Sequence, residues 1–231
     1  MRLFDSLPLS ADALLQWTWP QIEPFYTDLA SRSLAEGSLA QWLADWSRLS
    51  ESVSEMQTRL YVATTVNTAD ADVDRRYADY LDHIYSAAQA AEYALKRKLL
   101  DSGLAPAGFE MPLRTLRAEA ALFREANLPL LAEEKKLITE FDKIVGAQTV
   151  MWEGQEKTLV QLDVFLSDPD RAVRERAWRQ ATERRLADRD AIDALWRQFL
   201  GLRRRIAANA GYRDDYRAYR WQQLMRFDYT P

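Results

Sequence analysis

No cysteine occurs among the 231 residues, and histidine occurs once, as His83. The first absence excludes disulfides and thiolate metal sites and fits a reducing compartment. The second removes nitrogen-rich metal sites, because a catalytic zinc ion needs three protein ligands and one imidazole without a thiolate cannot supply them. A Ser-His-Asp or Cys-His arrangement could draw only on His83, beside Asp79 and Asp82 in an apolar helical stretch. No glycine-framed nucleophile turn accompanies it, so His83 reads as a packing or partly exposed histidine. Glycine and proline are sparse, at 7 and 8 residues, and neither G-x-x-x-x-G-K-S/T nor G-x-G-x-x-G is present. A phosphate-cradling loop is therefore missing. No apolar run approaches the ~20 residues that span a bilayer, and Met1-Arg2 opens no signal-peptide core. The expectation is a soluble, cytoplasmic protein with no membrane partner.

What is present is helical in character. Hydrophobic residues make up 48% and charged residues 29%, with Ala, Leu, Arg and Glu prominent. A chain of this length can bury a substantial core without staples. Residues 1–150 carry 15 basic and 22 acidic side chains, a net −7, and residues 151–231 carry 16 and 13, a net +3. The basic excess is interleaved with acids, as on a solvated helical face, whereas nucleic acid calls for a denser stripe. No nucleic-acid partner is expected.

Taken in order, Ser10 caps a short turn, and Thr18-Trp19-Pro20 starts a helix bearing Ile22, Phe25, Tyr26 and Leu29 that should fade near Gly37. Ser38-x-x-Gln41 reads as a capping box for the next helix. There Trp42, Trp46, Leu49, Val53, Met56 and Leu60 alternate steps of four and three, the seam of two helices lying side by side. Asn67 to Asp72 supply a turn. The return arm carries Val73, Tyr77, Tyr80, Ile84, Ala88, Ala91, Leu95 and Leu99 and stops at Gly103, completing a long antiparallel hairpin. Gly103, Pro106, Gly108 and Pro112 mark a linker. Two helices follow, broken at Asn127-Leu128-Pro129, the second with Leu131, Leu137, Phe141, Ile144 and Val145 at its apolar positions. Gln148 to Trp152, Glu153-Gly154 and Gln155 to Leu159 form a β-hairpin, near 148–158, and Thr158-x-x-Gln161 caps a short helix ending near Leu166.

One long helix is then expected from Ser167-Asp168-Pro169-Asp170-Arg171, capped by Ser167 or Asp168, running through Gly201 to Gly211. Ile192, Leu195, Trp196, Phe199, Leu202 and Ile206 form its buried face. Gly211 suits the left-handed position that ends a helix. Asp214 caps a last short helix bearing Tyr216, Tyr219, Trp221, Leu224 and Met225. Thr230-Pro231 is a helix-start signal with nothing after it, and the expectation is a chain cut from a larger protein. The fold class is all-α: a helical hairpin region (1–103), then a long-helix bundle with one small β-hairpin (104–231).

Few residues suggest a site. Asp168 and Asp170 are explained by capping, and the acidic and basic residues from Arg184 to Arg197 by helical ion pairs. Arg203, Arg204 and Arg205 near a helix C-terminus need no ligand. Tyr212, Tyr216, Tyr219 and Tyr229, with Arg213, Arg217, Arg220 and Arg226, are the suggestive cluster. They could line a peptide groove, or pack against a part of the protein beyond this chain. No complete active site is present. Trp152, Tyr212, Tyr216, Tyr219, Trp221, Phe227 and Tyr229 are the residues expected to lie exposed on one side, or covered by a second copy.

From Leu128 onward the order of features resembles the oligoendopeptidase F branch of the thimet-type zinc metallopeptidases. The pieces are Asn127-Leu128-Pro129-Leu130, Gly146-Ala147-Gln148-Thr149-Val150 with Trp152 and Gly154, then Thr158-Leu159 and Gln161-Leu162. Asp168, Asp170-Arg171, Arg174, Glu175, Ala177 and Trp178 follow, then Arg205, Ala207, Ala210-Gly211-Tyr212, and Arg226, Asp228, Tyr229 and Pro231. The resemblance implies a helical, channel-enclosing enzyme for short peptides, whose zinc sits on an H-E-x-x-H helix with a downstream Glu ligand. No such motif occurs here, so no catalytic or metal residue is carried over. The implied role is the N-terminal lobe of such a peptidase, partnered by a catalytic C-terminal half that holds the zinc. The alternative is a free-standing helical binding or scaffold protein.

Overall fold

The apolar spacing of the first hundred residues becomes two helices lying antiparallel. In the computed structural model, which describes residues 3–8 and 10–230, a 3-10 turn (Leu3–Ser6) and α1 (Ala11–Leu14) lead into α2 (Trp19–Ser31). Next come α3 (Glu36–Val66) and α4 (Ala71–Tyr80), which pair, and one turn of π-helix (Leu81–Tyr85) that joins α4 to α5 (Ser86–Ser102), packed on α2. Met1 and Arg2, considered as a leader, and Pro231, half of the terminal helix-start signal, lie outside the described residues.

All six seam residues of α3 are buried in one core, together with Tyr77, Tyr80, Ile84, Ala88, Leu95 and Leu99 of the return arm. Asp70 caps α4, accepting the Asp72 and Val73 N–H groups at 3.0 and 3.1 Å. Gly103, at φ 70°, ends α5.

Two boundaries differ from expectation here. α2 stops at Ser31 rather than near Gly37, because Arg32 turns extended and its guanidinium bridges Asp28 and Asp45, setting the angle at which α3 enters. α3 accordingly starts at Glu36, and the Ser38–Gln41 capping box does not form. Ser38 Oγ accepts the Ala35 N–H at 3.1 Å, while Gln41 donates to Asp45 at 2.9 Å.

After Gly103 lie α6 (Glu110–Leu122), which takes in Pro112, a 3-10 turn (Glu125–Asn127) and α7 (Leu128–Gly146), with Pro129 in the first turn. α7 buries Leu128, Leu130, Ala132 and Thr139, whereas Phe141 and Val145, assigned to its apolar face, are exposed. Its far end is held by polar ties instead: Lys143 to Asp74 at 2.9 Å and Tyr61 Oη to Asp142 at 2.9 Å. β1 (Thr149–Trp152) and β2 (Gln155–Thr158) pair antiparallel, Trp152 opposite Gln155. Glu153 (φ 52°) and Gly154 (φ 80°) both take positive φ, as a two-residue type I′ turn requires. Thr158 and Gln161 close their capping box at 3.2 and 2.9 Å, opening α8 (Leu159–Leu162) and a 3-10 turn (Asp163–Ser167).

The expected single long helix is two: α9 (Arg171–Ala187) and α10 (Arg189–Asn209). Asp188 leaves the helical region at φ −96°, ψ 5°. Its carboxylate accepts from Gln148 Nε2 at 2.9 Å and Arg184 Nη1 at 2.6 Å, so a tie to the residue before β1 coincides with the break. Neither glycine nor proline marks it. The cap is Asp170, which accepts the Ala172 N–H at 2.8 Å, not Ser167 or Asp168; Asp168 in turn accepts the Asp170 N–H at 2.8 Å. α9 packs on the hairpin and the 3-10 turn, and α10 on α7. Consequently only Phe199, Leu202 and Ile206 of the expected α10 face are buried; Ile192 and Leu195 are half-buried and Trp196 is exposed.

Candidate functional site

The Tyr/Arg cluster is positioned by the end of α10. Gly211, at φ 98°, turns the chain, and the Gly211 and Tyr212 N–H groups bond back to the carbonyls of Ala208 at 3.0 Å and Ala207 at 2.9 Å. That pair of bonds is a Schellman cap. The short loop after it delivers Asp215, one residue later than expected, as the cap of α11 (Tyr216–Gln223), accepting the Ala218 N–H at 2.8 Å.

The five candidate residues fall into two groups. Tyr219 is buried on α10 and α7, with the Tyr212 ring edge-on at 5.9 Å and Tyr216 at 6.1 Å. Burial, with a smaller contribution from the negative charge of Glu134, pushes the Tyr219 phenol up to about 12, which removes it from acid–base work near neutral pH. Arg226 and Tyr229 instead gather on Trp221. Its Nε1–H donates to the Tyr229 carbonyl at 2.7 Å, the Tyr229 ring stands edge-on at 5.1 Å, and the Arg226 guanidinium lies 4.6 Å over the indole. The tail is anchored further by Arg114 of α6, which lies 4.2 Å over Phe227 and donates to its carbonyl at 3.1 Å.

A cavity of about 290 Å³ opens beside Tyr219, between α5, α6, α7 and α11. Several of its polar groups are already hydrogen-bonded. Lys96 donates to Glu119 at 2.7 Å; Asn127 donates to the Ile206 carbonyl at 3.0 Å and accepts from Asn209 at 2.7 Å. Tyr93 and Phe123 stack at 3.8 Å along the wall. Such a site can accept an apolar or aromatic group but holds no nucleophile–base pair. Among the described residues no group of three or more His, Cys, Asp or Glu is placed to hold a metal ion. His83 is exposed in the π turn, and its neighbour Asp82 is paired with Lys136 at 2.5 Å. The residues present do not fit a zinc site.

Trp152 corrects the expected exposed set, being 1% exposed. Ala177 and Ala181, one turn apart on α9, let the hairpin approach closely enough for the indole to pack there, with Phe165 at 4.7 Å and the Arg176 guanidinium 4.1 Å over the ring. Those two alanines were the signal available in the sequence. Tyr219 is buried as well, Tyr212, Tyr216, Trp221 and Phe227 are half-buried, and Tyr229 is exposed. The large apolar groups that do face outward include Met151, Val160, Val164, Trp178, Leu186 and Trp196, none singled out by sequence as exposed.

No protein-family model matches the sequence, and no curated protein matches it. Solved structures do. A protein assigned as an oligoendopeptidase F superposes with a TM-score of 0.80 at 18% identity, over 98% of this chain and 40% of that chain. PZ peptidase A with an inhibitor gives 0.77 at 21% identity, over 98% and 40%. A protein from Bacillus anthracis str. Ames, also assigned as an oligoendopeptidase F, gives 0.79 at 15% identity, over 94% and 41%. The chain thus has the fold found in oligoendopeptidase F structures and spans about two-fifths of their length.

Proposed function

We propose that this chain is the N-terminal, non-catalytic lobe of a larger zinc metallo-oligopeptidase and forms part of the wall of a channel for short peptides. The observation that carries the reading is the fold match over 98% of this chain but 40% of the matched one. The ordered set of residues from Asn127 to Tyr229 supports it, as do the uncovered Trp178 and Trp196. In this reading zinc and the general base belong to the remainder of the enzyme, since the described residues supply no ligand set. Residues 1–103 make a hairpin part and residues 104–231 the part leading toward the catalytic half. Tyr212, Tyr216, Tyr219, Arg226 and Tyr229 then belong to the channel or to the interface with that half. The compartment is the cytoplasm.

A free-standing helical binding or scaffold protein is the second reading, favoured by the tail being anchored on α6 through Arg114. One experiment separates the two: sequencing the locus beyond codon 231 and weighing the native polypeptide. A native mass well above 26.8 kDa with an H-E-x-x-H motif downstream is expected. A native polypeptide of that mass, with no such motif, would leave the scaffold reading.

A further inference from the structure

We propose that a second cavity, between the α1–α2 loop and α4, binds a small zwitterion with an apolar body: an aromatic α-amino acid, or a dipeptide carrying one. The cavity measures about 500 Å³, within the range of small-molecule sites. Met56, Leu60, Tyr80 and Ile84 line it and are buried. Trp17 and Trp19 also line it, each held by a core ring: Trp17 by Phe25 at 5.8 Å and Trp19 by Tyr26, stacked at 5.8 Å. Pre-positioned indoles lose little freedom when a ring or alkyl group packs against them. The cavity also lies where the only described turn of π-helix interrupts the α4–α5 rod, a feature frequent at binding sites.

The rim sets the ligand's charge. Arg76, Asp79 and His83 all line the cavity and are exposed. Arg76 and Asp79 are three residues apart on α4, the spacing at which Asp72 and Arg75 do pair. Among the described residues, neither Arg76 nor Asp79 makes a hydrogen bond or ion pair through its side chain. An amine alone would gain from Asp79 and the indole faces but meet Arg76 as a like charge, and a carboxylate alone would meet Asp79. A ligand carrying both groups satisfies both: ammonium to the carboxylate, carboxylate to the guanidinium fork, apolar body over the floor. Peptide hydrolysis releases molecules of this class, which connects the cavity to the proposed activity, yet the binding itself stands on this cavity alone.

The test is calorimetric titration of the 231-residue chain with L-phenylalanine and with Leu-Phe, against phenethylamine, 3-phenylpropionate and glycine. At least one of the two zwitterions should bind at millimolar concentration or tighter, with the single-charge analogues about tenfold weaker or more, and glycine not at all. Binding of only one of the two tells a free amino acid from a peptide terminus, and either supports the proposal. Asp79→Asn and Arg76→Gln, both at exposed positions, should each weaken binding about tenfold with unchanged thermal melts. Failure of both zwitterions to bind, phenethylamine binding as tightly as phenylalanine, or variants with undiminished affinity would overturn it. Ligand-observed saturation-transfer NMR makes the same comparison independently if the calorimetric heats are small.

Discussion

Two polar groups shielded from solvent, one buried and one half-buried, stand out at the scale of single residues. Trp152 Nε1 is buried without an acceptor, so its indole contributes packing while its N–H carries a desolvation cost. Trp152→Phe removes that donor and keeps most of the ring, and should cost less than about 1 kcal/mol, against about 3–5 for Trp152→Ala. Urea melts decide the matter: equal losses for the two variants would mean the N–H is satisfied in solution. Glu92 is the second. Its carboxylate accepts from Trp46 Nε1 at 3.0 Å and from Ser50 Oγ at 3.1 Å, with Tyr26, Lys96 and Glu119 around it. Burial raises its pKa above the usual 4.5, outweighing the lowering by those hydrogen bonds and by Lys96. The folded state therefore holds this proton more tightly than the unfolded chain does. The stability this gives is fully present below 4.5 and is lost as pH rises through the folded value. Glu92→Gln, always neutral, should thus gain stability relative to the natural protein between acidic and neutral pH. Melts showing a difference independent of pH would sink this account.

Helix ends and breaks at the scale of elements are decided by two kinds of signal. Gly211 is of the local kind. A Cβ there would meet nothing within 4 Å, so its requirement is the φ of 98° alone. Gly211→Val should cost about 1–2 kcal/mol and Gly211→Asn clearly less, because asparagine tolerates the left-handed region and a β-branched residue does not. A valine variant within about 0.5 kcal/mol of the parent would mean another residue ends α10. Asp188 is of the other kind. Its break falls where neither glycine nor proline stands and coincides with a bond from Gln148, forty residues earlier in the chain. The π turn at Leu81–Tyr85 belongs with it, since Tyr80, Leu81, Ile84 and Tyr85 all point into one core, a wider arc than an α-helical stripe covers.

Across the whole molecule, apolar exposure is uneven. Most of the large hydrophobic side chains facing outward lie beyond residue 140, Trp178 and Trp196 each 57% exposed among them. Isolated exposed residues are ordinary, but the proposed catalytic half would need such uncovered apolar groups to pack against. The isolated chain should therefore self-associate or bind a hydrophobic dye, and Trp178→Ser with Trp196→Ser should diminish both while leaving the melting curve unchanged. Sedimentation velocity and dye fluorescence make the check. A strictly monomeric, dye-inert chain would argue against a partner covering Trp178 and Trp196.

Sequence alone determined the parts whose signals are local and repeated. The seam from Trp42 to Leu60 and its return to Leu99 specify a helical pair, because a mean step near 3.5 keeps one stripe facing a neighbour. Gly154 specifies the hairpin turn, and Gly211 the end of α10, because few residues accept positive φ. Tertiary structure decided what depends on residues distant in sequence: the break at Asp188, the burial of Trp152 against Ala177 and Ala181, and the division of the tyrosine cluster between Tyr219 and Trp221. A period reports which side chains share a face, but not which part of that face the rest of the chain will cover.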